Sequence, residues 1–151
     1  MANNMKGCYK HLVLENLKQI QSFRYQQSSE GITITVTPHY VSEKSAPEND
    51  YYFFAYQVLV ENDSSERVQL ISRHWIIRDG QKRERFINGE GVTGKRPFIE
   101  PGEIFEYQSF CPLSTATGNM RGKFEFVNEL GEKFWRPIPL FFFRTPESFK
   151  H

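Results

Sequence analysis

Apolar and polar residues alternate with a period of two along the chain from Ile32 onward. Ile32, Ile34 and Val36 alternate with three threonines, a pattern typical of a strand with one buried and one solvated face. Residues 51–61 are apolar on both sides, which predicts a strand in the middle of a sandwich. The same reasoning predicts further strands at residues 67–78, 84–87, 104–110, 123–127 and 133–143.

Short segments rich in Gly, Pro, Ser and Asp separate these strands, and the turns are predicted at residues 42–50, 62–65, 79–80, 101–102, 118–119 and 130–132. Seven or so strands with turns at short intervals predict an all-β fold. The favoured architecture is an antiparallel β-sandwich of the fibronectin type III or immunoglobulin kind, with a closed barrel as the main alternative. The Cys…Trp…Cys spacing of an immunoglobulin domain is absent, which favours the fibronectin type III version.

The first part of the chain has a different pattern. Val13, Leu14, Leu17 and Ile20 follow helical spacing and predict a short amphipathic helix over about residues 9–23. Residues 26–31, which are polar and end in glycine, read as a linker. The predicted organisation is an N-terminal extension over residues 1–24 followed by one sandwich domain over residues 25–151.

Composition narrows the function classes. The 151 residues carry a net charge of +1, which predicts neither general nucleic-acid binding nor an acidic-partner tail. Aromatic residues make up 15% of the chain, in keeping with a strand-built core. No run approaches the roughly 18 apolar residues of a membrane span, and the N-terminus lacks the apolar region of a signal peptide. We therefore expect a cytoplasmic protein without a membrane partner.

The cysteine, histidine and nucleophile patterns of the sequence do not predict an enzyme. Cys8 and Cys111 lack the C-x-x-C spacing of a metal site, and two free thiols are expected in a reducing compartment. The four histidines have no partner at ligand spacing, and no nucleophile motif is present. We expect no catalytic residues, no metal site and no cofactor.

One glycine-rich segment is a candidate ligand site. Residues 89–94 read G-x-G-x-x-G, but Pro97 follows closely and no helical pattern begins there, so the helix of a dinucleotide-binding fold is missing. Successive N–H groups could still form an anion nest for phosphate or pyrophosphate. The candidate site comprises Gly89, Gly91, Thr93, Gly94, Lys95, Arg96 and Arg73. The alternative, favoured because Glu90 would repel an anion, is a bulged connection between sheets.

Adjacent residues on a strand face opposite ways, which separates His74 from Trp75. Trp75 is predicted to fill the core and His74 to point outward as a structural or surface residue. For the aromatic residues near strand ends, a place in the sandwich core is favoured over a peptide-binding groove. These aromatic residues are Tyr51, Tyr52, Phe141 and Phe143.

Several collinear motifs resemble the ApaG family. They include the FFAYQV segment at residues 53–58 with Asn62 after it, VQLISRHWII at residues 68–77, and GEGVTG at residues 89–94. Pro97, the P-G-E run at residues 101–103, G-x-M-x-G at residues 118–122 and I-P-x-F at residues 138–141 follow in the same order. The resemblance covers about residues 25–151. Thr93 stands where the family more commonly has Val, and the first thirty or so residues have no counterpart in the compact bacterial form.

The resemblance implies a fibronectin type III-like sandwich without an established activity. Bacterial members are linked to cobalt and magnesium tolerance, their genes often neighbour a dinucleoside tetraphosphate hydrolase, and related eukaryotic domains look like protein-binding modules. The leading hypothesis is therefore a non-catalytic module that binds an as yet unidentified protein. The alternative is an enzyme or accessory factor that binds a nucleotide or pyrophosphate through the glycine-rich loop.

Overall fold

The computed structural model describes residues 23–147, and almost all of the regular structure there is β-strand. Two one-turn 3-10 helices, Ser42–Lys44 and Pro47–Asn49, lie in the segment that was predicted to be a long turn. The strands are β1 Tyr25–Ser29, β2 Ile32–Tyr40, β3 Tyr52–Asn62, β4 Val68–Asp79, β5 Glu84–Glu90, β6 Phe98–Ile99, β7 Ile104–Leu113, β8 Thr117–Asn128 and β9 Lys133–Arg144.

The strands form two antiparallel sheets. The smaller sheet has the order β1-β2-β3-β7, and the larger has the order β5-β4-β8-β9, with β6 also paired to β4. Because the sheets stay separate, the fold is a β-sandwich and the barrel alternative is excluded. The all-β prediction is confirmed for the described residues, whereas the helix predicted over about residues 9–23 lies almost entirely outside them.

Aromatic rings from both sheets fill the space between them. Trp75 on β4 is only 2% exposed, which confirms the prediction from its alternation with His74. Its indole lies edge-on to Tyr56 of the facing sheet at 5.8 Å and to Phe124 and Phe141 at 5.9 Å each. Such edge-to-face arrangements are preferred by aromatic quadrupoles. The core is thus assembled around an indole that both sheets contact.

The four aromatic residues assigned to the core differ in their burial. Phe141 and Phe143 are fully buried, and Tyr52 is half-buried and packs against the core. Tyr51, in contrast, is an exposed residue just before β3. The core assignment is therefore right for the two β9 residues and wrong for Tyr51.

Two sequence-based assignments are wrong in the described residues. The segment interpreted as a linker forms β1, which pairs with β2 through the main chain and through side-chain bonds such as Gln26 Nε2 to Thr35 Oγ1 at 2.9 Å. Gly118 and Asn119, predicted as a turn, lie inside β8. A Cβ at position 118 would come 2.7 Å from the Arg78 carbonyl oxygen. This close approach of the neighbouring backbone favours glycine inside the strand.

Asn62 ends β3 as a buried polar hub. Its Nδ2 donates to the carbonyl oxygens of Glu66 and Ile99 at 2.8 and 2.9 Å. Its Oδ1 accepts from the N–H and the hydroxyl of Ser64 at 3.0 and 2.6 Å. A fully buried amide is stable only when such bonds are made, so this residue fixes the turn between the two sheets.

Candidate functional site

The glycine-rich loop interrupts one edge of the larger sheet. β5 pairs with residues 72–78 of β4, and β6 pairs with Val68 and Gln69 of the same strand. The loop between β5 and β6 therefore bulges away from a single edge, and it does not cross between sheets. Bonds from Gly91 N–H to the Ile71 carbonyl at 2.7 Å and from Leu70 N–H to the Pro97 carbonyl at 3.0 Å hold its two ends on β4.

Three of the loop amides already donate hydrogen bonds to main-chain carbonyls. Val92 and Lys95 exchange both main-chain bonds, at 2.8 and 2.9 Å, and Gly91 donates to β4. Gly91, Thr93 and Gly94 have positive φ values of 62°, 46° and 77°, whereas Gly89 lies within β5 without a positive φ. In the described part of the chain, the N–H groups of Thr93 and Gly94 at the loop tip donate to no acceptor.

Two of the three cations of the predicted anion site bond to main-chain carbonyls of the protein. Arg73 Nη1 donates to the carbonyl oxygens of Glu90 and Gly91 at 3.2 and 2.8 Å. Its guanidinium occupies the space into which a Gly89 Cβ would project, so a side chain at position 89 would displace the guanidinium. Arg96 Nε donates to the Ile71 carbonyl at 3.3 Å. The predicted residues are thus brought together, and two of their three cations, Arg73 and Arg96, donate to main-chain carbonyls, while Lys95 is exposed.

Buried phenols lie behind Arg73. Burial raises the pKa of the Tyr107 hydroxyl well above its usual 10.0, and the Arg73 charge opposes the shift only in part. Burial likewise raises the pKa of Tyr56, against a lowering hydrogen bond with Ser109. Both phenols are therefore neutral and cannot act as general bases at physiological pH.

Few other side chains in residues 23–147 have the properties needed for catalysis or metal binding. Cys111 is a free, buried thiol, and burial raises its pKa to about 11, so little nucleophilic thiolate forms near neutral pH. Across this part of the chain, no group of three or more His, Cys, Asp or Glu side chains is arranged to hold a metal. No helix in the same range has the length and apolar character to cross a membrane. His74 faces outward as predicted and bonds through Nδ1 to Asn88 Oδ1 on β5.

A feature that sequence reasoning missed lies on the outer face of the larger sheet. Side chains of directly opposed residues share a face. Phe86 of β5 lies opposite Ile76 of β4, while Trp135 of β9 lies opposite Glu125, which lies opposite Ser72. Ser72 and Ile76 are four residues apart on one strand and so project from the same side. The two exposed rings therefore share the outer face, although they come from the first and last strands of the sheet.

Two more rings complete this surface. Phe98 lies opposite Gln69, which in turn lies opposite Val127, and Phe142 lies opposite Asn119. A bulge in β4 at Ile71 places Gln69 on the same face as Ser72. We call this surface the aromatic face and define it by four residues with exposed rings: Phe86, Phe98, Trp135 and Phe142.

Cations stack on three of these rings. The Arg67 guanidinium carbon is 3.9 Å from the Phe98 centroid, Lys123 Nζ is 4.6 Å from Trp135, and the Arg144 guanidinium carbon is 5.4 Å from Phe142. Phe86, the most exposed of the four at 62%, has no cation stacked on its ring among the described residues. Exposed aromatic rings beside arginine are the side chains most enriched at protein–protein interfaces.

Comparison with known proteins identifies relatives over most of the chain. The ApaG domain family matches residues 42–128. The protein ApaG of Methylorubrum populi is 47% identical over 122 residues, which cover 81% of this chain and 94% of the relative. Protein ApaG of Bordetella pertussis is 47% identical over 117 residues, 78% of this chain and 89% of the relative. The crystal structure of the putative ApaA protein from Bordetella pertussis superposes with a TM-score of 0.75 at 45% identity, covering 82% of this chain and 97% of the other.

Proposed function

The chain belongs to the ApaG domain family, and we propose that it is a non-catalytic module that binds a partner protein through the aromatic face. The observation that carries the proposal is the set of four exposed rings, contributed by three different strands to one side of the larger sheet. We further propose that the sandwich is of the fibronectin type III kind.

The energetics of the aromatic face support a protein ligand. Exposed rings lose contact with water when a partner covers them, at about 25 cal/mol per Å² of apolar area buried. Lys123, already stacked on Trp135, can pair with an acidic group at the rim of an interface without leaving the ring. Arg67, stacked on Phe98, already pairs with Glu100 at 3.2 Å. The ligand that fits is therefore a protein surface with an apolar centre and acidic groups around it.

The test is an affinity pull-down from native lysate with a matched surface control. The double variant Phe86→Ser, Trp135→Ser removes two rings of the aromatic face. The control variant Tyr51→Ser, Leu130→Ser removes two exposed apolar side chains that are not among the four rings of the aromatic face. We expect the same proteins to be retained by the unmodified chain and the control, and lost by the aromatic-face variant. Equal retention by all three chains would argue against this surface.

A second candidate ligand is phosphate or pyrophosphate at the tip of the glycine-rich loop. It is favoured by the two amides of Thr93 and Gly94 that donate to no acceptor in the described part of the chain, next to the exposed Lys95. Because Gly91 and Val92 amides are bonded internally, pyrophosphate would shift the amide resonances of Thr93 and Gly94 alone in a saturable titration. Lys95→Ala is then expected to weaken binding, and added salt to weaken it further.

A parallel calorimetric titration with Co²⁺ and Mg²⁺ tests whether the metal tolerance linked to the family involves direct binding. Saturable heat with either ion would give the chain a metal-binding role beside the proposed protein-binding one.

A further inference from the structure

The outer edge of β7 presents main-chain groups that are paired with nothing in residues 23–147. β7 is the last strand of the smaller sheet. At the end of β3, Asn62 N–H donates to the Glu103 carbonyl at 3.0 Å and the Asn62 carbonyl accepts from Gly102 N–H at 2.7 Å, so the main-chain groups of this even-numbered residue face the β7 side. Bonded and non-bonded pairs alternate, so the odd-numbered residues of β7 bond to β3. The even-numbered residues Ile104, Glu106, Gln108 and Phe110 turn their N–H and C=O groups toward the open edge.

The other edges of the two sheets are protected by features that oppose strand addition. β9 contains Pro137 and Pro139, which lack an N–H. β1 has only five residues, and the edge that β5 begins is interrupted by the glycine-rich loop before β6.

The open edge of β7 is blocked to strand addition only near its C-terminal end. Pro112 lacks an N–H, and its carbonyl accepts a bond from Arg85 Nη2 at 3.2 Å. The segment from Ile104 to Phe110 is the part of the edge without such protection.

We propose that this edge binds a second copy of the chain, with the two β7 strands antiparallel across a two-fold axis at Tyr107. In this register Ile104 lies opposite Phe110 of the second copy, and Glu106 lies opposite its Gln108. Every even-numbered residue from 104 to 110 then forms a hydrogen-bonded pair. The surface is separate from the aromatic face, so the inference does not rest on the proposed function.

The order of side chains along the edge selects this occupant and this register. All four even-numbered side chains are exposed on the outer face of the smaller sheet, and they run apolar, acidic, amide, apolar. When the second strand runs antiparallel, Ile104 of one copy faces Phe110 of the other, and Glu106 faces Gln108. A shift of the axis to Gln108 would instead oppose Glu106 to the Phe110 ring, and it would oppose Ile104 to Pro112, whose carbonyl is already bonded. A self-complementary edge is the property that a two-fold interface requires.

The decisive experiment changes the charge at position 108 and measures self-association by sedimentation equilibrium of the full chain. In the proposed register Gln108→Lys creates two symmetry-related attractive pairs with Glu106, and Gln108→Glu creates two repulsive ones. Cross-strand charge pairs of this kind change the self-association Kd by about 2- to 30-fold in total. We therefore expect Gln108→Lys to tighten the dimer and Gln108→Glu to weaken it.

A proline substitution provides a second, independent arm. Gln108→Pro removes an N–H that faces the open edge and leaves the bonds between β7 and β3 in place, so the chain is expected to fold as a monomer. Amide hydrogen exchange of the unmodified chain should slow with increasing concentration at Ile104, Glu106, Gln108 and Phe110. The proposal is overturned by a monomer at all concentrations up to millimolar, by equal Kd values for the Lys and Glu variants, or by edge protection that appears only on addition of a different protein.

Discussion

Replacement of Trp75 by alanine is expected to cost about 3–5 kcal/mol of unfolding free energy. The indole is 2% exposed and contacts three rings. A tryptophan removes up to about 250 Å² from water, which at about 25 cal/mol per Å² corresponds to roughly 6 kcal/mol. Alanine keeps part of that burial, and an extended reference chain overstates it. The residual cavity between the sheets offsets some of this reduction.

Trp135→Ala is the matched control, because Trp135 is the second of two tryptophans in the chain and lies in the same sheet. Its ring is 41% exposed and carries Lys123, so a loss of about 1 kcal/mol or less is expected. Urea unfolding followed by far-ultraviolet circular dichroism measures both, with similar m-values required for the comparison.

If Trp75→Ala proves unfolded in water, Trp75→Phe provides a smaller perturbation of the same site. A loss below about 1 kcal/mol for Trp75→Ala, or equal losses for the two alanine variants, would refute the placement of Trp75 at the centre of the core.

Three further predictions concern single residues. Gly91→Ala is expected to cost more stability than the roughly 1–2 kcal/mol that left-handed strain costs a non-glycine residue, because its Cβ would also collide with the Lys95 carbonyl. Gly94 has a similar φ but open space around it, so Gly94→Ala should show the cost of the strain alone in thermal unfolding. Equal losses of stability for the two variants would contradict the collision. Asn62→Asp places a carboxylate against the carbonyl oxygens that Asn62 now bonds, so a loss of about 1–3 kcal/mol or more is expected at pH 7, with partial recovery at acidic pH where the new acid is protonated; denaturation curves that do not change with pH would exclude this cause. Because burial raises the pKa of Cys111 to about 11, a Cys8→Ser variant should react with a thiol reagent at pH 8 only when urea unfolds it, and rapid labelling of the folded chain would show that the thiol is accessible.

Local alternation in the sequence was sufficient to place the core strands. The period of two around Trp75 predicted its burial because side chains on a strand alternate regardless of the partner strand. The same reasoning failed for β1, whose residues are mostly exposed and polar, because pairing with β2 depends on main-chain and hydroxyl bonds that leave no hydrophobic pattern. It failed for Gly118 because the need for glycine arises from the neighbouring strand carrying Arg78.

The candidate sites depended on contacts between residues far apart in sequence. The glycine pattern correctly indicated a loop with several positive φ angles. It could not show that Gly91 N–H bonds to Ile71 or that Arg73 faces the loop carbonyls. The aromatic face was missed for a similar reason. Phe86 and Trp135 come to the same side only through the register of β5, β4, β8 and β9, and Phe98 joins them through the bulge in β4.

Site-specific photo-crosslinking in cells tests the central claim, that the aromatic face binds a protein partner. A photoreactive phenylalanine analogue is placed at Phe86 in one chain and, in another, at Leu130, which is even more exposed (80% against 62%) and is not one of the four residues of this face. The account predicts a discrete crosslinked species of higher mass from position 86, absent from position 130 and abolished by Trp135→Ser in the same chain. Crosslinking from position 130 with none from position 86 would contradict the account.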